Sequence, residues 1–246
     1  MRDPAIARVQ ELVRSYVAEC PHQEAFEVLD AGAGYGSPVL LPDPARLTAL
    51  DVCREALDAN GRADVRIVGD VAEVDLPRGH FDLVICWDTL EHLPNPYDAL
   101  ERLLRATKPS GRIILAFPNP WSPKGLVTKL TPLWFHLWVY RYVIGSRIAG
   151  EPGRGPFPVY LRWGLAPERL AKFFAKRDAV VEYYDYYTTR HVLDVVNRAP
   201  WTRFAWTGSV TLVKLIGGSQ AHAESSDIIM VLRKRDIAGR RSIPAT

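Results

Sequence analysis

Asp30, Asp51 and Asp70 each close a short apolar run, and carboxylates spaced in this way can gather round one cationic ligand. Asp30 stands just ahead of Gly32-Ala33-Gly34-Tyr35-Gly36, a turn whose glycines let backbone approach a ligand closely. Asp51, 21 residues further on, is placed to accept both hydroxyls of a ribose. Asp70 closes a third run, in position to accept from an adenine amino group. The dinucleotide fingerprint needs a further glycine three residues after the second, where the helix meets a pyrophosphate. That place is Ser37 counted from Gly32 and Gly34, and Val39 counted from Gly34 and Gly36, so both counts fail. A carboxylate directly ahead of the turn also repels phosphate. It suits a ligand with an ammonium group and a sulfonium, a cationic nucleoside.

These residues need an element each to hold them. Residues 26–30, 46–51, 64–70, 81–87 and 111–117 read as strands. Their nearly continuous apolar character is that of strands buried on both faces of a parallel sheet. Helical spacing appears over 53–60 and 96–107, with Leu100, Leu103 and Leu104 on one face. Pro38, Pro42 and Pro44 predict a short or broken helix after the glycines, because proline inside a helix removes a hydrogen bond and clashes with the preceding turn. Later come strands at 179–187 and 227–233, a helix at 190–197 and an aromatic-rich stretch from Trp201 to Ile216.

The expected fold is α/β: an open, doubly wound, mostly parallel seven-stranded sheet with a late antiparallel hairpin and an aromatic-rich lid insertion. The expected organisation is one domain over 1–246. An N-terminal helix occupies 1–25, the cofactor-binding core 26–118, the lid and substrate segment 119–178, the closing strands 179–235 and a tail 236–246.

The 246 residues are 48% hydrophobic and 24% charged, which excludes a disordered or fibrous chain. Lys plus Arg number 31 against 28 Asp plus Glu, too balanced for a nucleic-acid binder. Part of the excess sits at Arg233, Lys234, Arg235, Arg240 and Arg241, read as a solvated tail. Cys20, Cys53 and Cys86 are scattered and show neither disulfide nor metal spacing. Asp3 and Pro4 open an amphipathic helix carrying Val9, Val13 and Tyr16 rather than a targeting segment. The run 132–145 is broken by His136 and Arg141 and is shorter than the roughly 20 residues of a membrane span. A cytoplasmic chain is expected.

The sequence resembles the class I S-adenosylmethionine-dependent methyltransferases over roughly residues 26–120, most closely their small-molecule and quinone branch. The matching segments are Val28 to Gly36, Leu50-Asp51, Gly69-Asp70, Phe81 to Leu93 and Lys108 to Arg112. The resemblance implies S-adenosylmethionine as cofactor, with Asp30, Gly32, Gly34 and Gly36 at its methionine end. It assigns Asp51 to the ribose, Asp70 and Val71 to the adenine, and Trp87 and Asp88 to the cofactor's flank. Pro118-Asn119-Pro120-Trp121 looks like an amine-methyltransferase motif but follows the fifth strand rather than the fourth, so it does not license an amine acceptor.

His92 is the candidate general base, since its ordinary pKa lies near working pH; its rival reading is a residue that only shapes the pocket. Trp121 and Tyr160 are candidate acceptor contacts. They belong to a crowd of aromatics that includes Trp134, Phe135, Trp138, Tyr140, Tyr142, Phe157 and Trp163, expected to form an apolar pocket or a lid core. His136 reads as a packed residue. Shallow membrane contact ranks lower, on the strength of Lys124, Lys129, Arg141 and Arg147 flanking the aromatics. The function expected is transfer of a methyl group to a small, apolar or aromatic acceptor by in-line displacement. Its rivals are a non-catalytic binding module on the same fold and, behind it, a nucleotide-dependent oxidoreductase.

Overall fold

The computed structural model describes residues 4–20, 25–41, 43–151, 153–217 and 222–236. Asp3, Pro42, Arg240 and Arg241 therefore lie outside the described residues. Seven strands form one sheet: β1 (Phe26–Ala31), β2 (Ala45–Asp51), β3 (Val65–Val68), β4 (Phe81–Trp87), β5 (Thr107–Pro118), β6 (Ala179–Tyr187) and β7 (Asp227–Lys234). Their order is β3-β2-β1-β4-β5-β7-β6. The first five are parallel, and β7 runs antiparallel between β5 and β6.

Because side chains alternate across a strand, the apolar runs serve two cores at once. Leu83 and Ile85 of β4 face one core with Val28, Ile114 and Val231, closed by α1 (Pro4–Glu19) through Val9, Val13 and Tyr16. Val84 and Cys86 face the other, with Leu29, Ile113 and Met230. That face is closed by α3 (Pro96–Ala106) through Leu100 and Leu103 and by α6 (Pro167–Ala175) through Leu170 and Phe174.

No helix joins β1 to β2 among the described residues. The backbone groups a helix would have satisfied are held by side chains instead. Arg62 donates to the carbonyls of Ser37 and Val39 at 3.1 and 2.9 Å. Gln10 of α1 brackets Leu40, donating to its carbonyl and accepting from its N–H, both at 2.8 Å. A short α2 (Arg54–Ala59) follows β2.

Between β5 and α6 lie α4 (Pro123–Leu130), α5 (Leu133–Trp138) and a π-helical turn, Val139–Ile144. Between β6 and β7 lie α7 (Arg190–Val196) and α8 (Pro200–Gly217). The aromatic-rich stretch is thus a continuous helix of 18 residues. Two strands differ from expectation. β3 stops at Val68, because Asp70 folds back into a turn by accepting the Ala72 N–H at 2.7 Å. β5 starts earlier, at Thr107, whose neighbours up to Ser110 turn sharply before the sheet pairing resumes with Leu83 opposite Arg112.

Candidate active site

All three aspartates lie at the carboxyl edge of the parallel strands, where open α/β sheets bind ligands. Asp30 is 2% exposed within β1. One of its carboxylate oxygens accepts the Ser37 N–H at 3.2 Å, and the other is buried with no hydrogen-bond partner. Burial pushes its pKa up to about 6, against the Ser37 hydrogen bonds and the charge of Arg62. An unpaired buried carboxylate oxygen costs stability, and a bound ammonium would relieve it.

Asp51 is fixed from two sides. Its Oδ2 accepts the Gly34 N–H and its Oδ1 accepts the Cys53 N–H, both at 2.8 Å. This ties the glycine turn to the end of β2 and leaves each oxygen a second lone pair. Gly34 has φ +47°, and Gly32 has φ +75° with its α-carbon against Thr89, where any side chain would collide. Gly36 also has positive φ, +115°, beside Asn60. Asp70 caps the turn beyond β3, followed by the buried Val71. Trp87 ends β4, half-buried.

After β4 the chain enters the left-handed region at Asp88, φ +49°. Such a conformation is costly for a non-glycine residue and is frequent at functional sites. Asp88 is exposed to solvent, with protein packed round its carboxyl. That enclosure raises its pKa, and Asp227 raises it further while Lys124 opposes.

Lys124 and Asp227 complete a charged cluster that sequence reasoning missed. Asp227 is fully buried at the start of β7 and takes one salt bridge from the Lys124 ammonium and one hydrogen bond from Ser226 Oγ. Burial works against the Lys124 charge, but Asp227, Asp88 and Glu91 outweigh it, so its pKa is raised. Glu91 is 4% exposed with one carboxylate oxygen unpartnered, and burial and then Asp88 push its pKa well up. The Tyr140 phenol, in the π-turn, feels the same charges and is also raised, mainly by burial.

An antiparallel strand begins where its parallel neighbours end, and Asp227 pairs with Pro118, so the first residue of β7 had to reach the same edge as Asp30.

His92 follows in the single helical turn Leu90–His92. Its Nδ1 donates to the Pro158 carbonyl at 2.7 Å, which fixes the tautomer and leaves the Nε2 lone pair, 3.8 Å from Glu91 Oε1. Burial lowers its pKa, so it is neutral near pH 7. Tyr160 is anchored by its backbone N–H to the Glu91 carbonyl at 2.8 Å, with its side chain 46% exposed. Trp121 lies against Trp163 in a tilted pair with centroids 4.5 Å apart and packs against the Val213 region of α8.

The aromatic crowd does not close into one pocket. Trp134, Trp138, Tyr142, Phe157 and Tyr160 are all exposed, and α5 has no buried residue. The segment is too short of partner layers to bury so many rings. Two of the flanking cations also turn inward: Lys124 to Asp227, and Lys129 to the Leu161 carbonyl at 2.8 Å, over the Trp163 ring. His136 is part-buried and bonded to Thr131 Oγ1 at 2.6 Å. Asn119 spends its side chain on structure, donating to the His222 and Ser225 carbonyls and accepting from the Trp121 N–H. That disposes of the amine-motif resemblance at this position.

Sheet order and the antiparallel β5-β7-β6 end together define a Rossmann-like α/β fold. Residues 29–115 match the family model described as "Methyltransferase domain". Over that segment the chain is similar to the class I S-adenosylmethionine-dependent methyltransferases. It is 31% identical over 124 residues to the ubiquinone biosynthesis O-methyltransferase of Alkalilimnicola ehrlichii, covering 45% of this chain and 49% of that one. It is 35% identical over 105 residues to the mitochondrial enzyme of that description from Schizosaccharomyces pombe, covering 37% of each. The chain spans at most about half the length of these curated relatives.

Solved structures alike in fold include phosphoethanolamine N-methyltransferase 2 of Haemonchus contortus in complex with S-adenosyl-L-methionine. It has TM-score 0.53 and 16% identity, over 93% of this chain and 53% of that one. Another is the [4+2]-cyclase SpnF, with TM-score 0.51 and 16% identity over 92% and 80%.

Proposed function

We propose that this chain transfers the methyl group of S-adenosylmethionine to a hydroxyl of a small acceptor molecule by in-line displacement. The observation that carries the reading is the pair of carboxylates on one glycine turn: Asp30 with an unpartnered buried oxygen, and Asp51 bonded to the Gly34 N–H. Asp30 suits an ammonium, Asp51 retains lone pairs for two ribose hydroxyls, and Asp70 is the acceptor for an adenine amine. Gly32, Gly34 and Gly36 keep side chains out of the methionine end, Val71 offers an apolar contact beside the base, and Trp87 and Asp88 form the flank. When bound, S-adenosylmethionine supplies a methyl already activated by a sulfonium.

The chain's own part is then mostly positional, since holding a nucleophile in line supplies much of the acceleration in such reactions. The charged cluster of Asp88, Lys124 and Asp227, whose field reaches Tyr140, supports an acceptor with a polar end. The names of the curated O-methyltransferase relatives support oxygen as the atom methylated. His92, neutral and with Nε2 open, is the group best disposed to take the hydroxyl proton. Trp121 and Tyr160 stand on the lid side as acceptor contacts.

Calorimetry with S-adenosylmethionine, its demethylated product, NAD and NADP tests the reading. Binding of the first two alone supports it, and binding of none overturns it. One feature favours a second reading, a binding module that no longer methylates: the absence, among the described residues, of a helix between β1 and β2. That reading expects cofactor affinity to be lost along with turnover.

A further inference from the structure

The helix α8 buries only a narrow stripe. Val213 is buried and Val210 packs beside it against Trp121 and Leu126, which fastens α8 to α4. At 100° per residue, Trp206 falls on the same stripe. On the opposite side Trp201, Phe204, Leu212, Leu215 and Ile216 fall within an arc of roughly 120°, and they are 71%, 81%, 58%, 79% and 71% exposed. Between the two stripes run Arg203, Thr207, Thr211 and Lys214. An outward apolar face of this size on a water-soluble surface marks an interaction site.

The charge around it selects the partner. No Asp or Glu occurs from residue 195 to 223, nor from 102 to 150, the stretch that holds α4 and α5. The exposed charged residues along α8 and its approach are Arg198, Arg203 and Lys214, the last paired at the surface with Glu224, and the adjoining α7 adds Asp194. Trp134, Trp138 and Tyr142 stand out from the adjoining segment at 69%, 50% and 75% exposure. A second copy docked on this face would oppose cation to cation. Among the described residues no helix is long and apolar enough to cross a membrane.

We infer that the outer face of α8 lies on an anionic lipid surface, its aromatic and aliphatic side chains entering the headgroup boundary and its arginines meeting lipid phosphates. A helix with Trp, Phe and Leu on one side and cations with hydroxyls on the flank has the makeup of an interfacial helix. The flanking lysines of α4 do not carry this inference, because they are turned inward.

Co-sedimentation of the full chain with vesicles tests it, using phosphatidylcholine alone and phosphatidylcholine mixed with phosphatidylglycerol. The chain is expected to partition into the mixed vesicles and only weakly into the neutral ones. Phe204→Glu with Leu215→Glu should lower that partition by about tenfold or more, and Arg203→Glu by about fivefold. S-adenosylmethionine affinity should be unchanged in both, since these side chains stand on exposed surface. Failure to bind either vesicle overturns the inference, as does vesicle binding that the double variant leaves intact. A solution dimer that the double variant dissolves, without vesicle binding, overturns it in favour of self-association. Loss of cofactor binding alone would bear on the proposed function and not on this face.

Discussion

Asp30 is the residue where stability and ligand binding pull in opposite directions. Its folded pKa of about 6 lies above the ordinary carboxyl value of 3.8, so the folded state holds the proton more tightly than the unfolded chain. The stability it contributes is therefore full below about pH 4 and is lost as pH rises through about 6. Asp30→Asn keeps an acceptor for the Ser37 N–H without burying a charge. The ligand-free variant is expected to gain about 2 kcal/mol at pH 7.5, a rise of roughly 4–8 °C in Tm for a chain of this size. It should also lose S-adenosylmethionine binding. Scanning calorimetry with and without the ligand checks both, and a variant that melts lower while still binding would refute the account. The same carboxyl sets a pH profile. An ammonium ligand requires the ionised form, so affinity should rise about tenfold from pH 5 to pH 7 and then level off. Titration calorimetry across that range decides it, and a flat profile would detach Asp30 from the ligand.

Elements bring together what the chain separates, and here α4 and β7 are joined by one charge pair. Lys124 enters from the first turn of α4, where Ser122 accepts the Gly125 N–H as N-cap, and Asp227 from the first residue of β7. Removing one partner strands the other: Lys124→Met should destabilise the fold by about 3–5 kcal/mol, because Asp227 stays charged and fully buried. Lys124→Met with Asp227→Leu should recover most of that loss in urea denaturation, yet remain inactive while binding S-adenosylmethionine. A double variant with ordinary turnover would remove the pair from the acceptor end. The sheet and the strand-tip aspartates were legible in sequence because strands buried on both faces announce themselves as apolar runs, each closed by Asp30 or Asp51. Asp70 was shifted by two residues because an Asx turn ends a strand early without changing the apolar pattern. Lys124 was misread as a surface cation, since its partner lies 103 residues away and only the antiparallel return of β7 supplies it.

Across the whole molecule, burial divides the chain into a dense sheet and a thinly packed cap. β4, β5 and β7 carry continuous buried runs, including Ile85, Leu115, Phe117 and Ile229, all at 0% exposure. Among the described residues, helices α5 and α7 carry no buried residue, and α8 has Val213 alone at 3%. The cap's aromatics look like core in sequence and are surface in three dimensions because no further layer covers them. Among the described residues its polar links include the Lys124–Asp227 bridge, the Lys129 bond to the Leu161 carbonyl, and the Asn119 bonds to the loop before β7. Local opening follows buried contact rather than helical form, so the cap should open at much lower free energy than the sheet. Amide exchange in residues 133–144 and 190–217 is expected to run at least about a thousandfold faster than in β4 and β5, a gap of about 4 kcal/mol in opening free energy. Adding S-adenosylmethionine should slow exchange at residues 30–36 and 88–92 and leave the outer face of α8 unchanged. Anionic vesicles should do the reverse, protecting 200–217 without touching the glycine turn. Protection of α5 equal to that of β5 in the ligand-free chain would show that the cap is held by packing that these contacts do not contain.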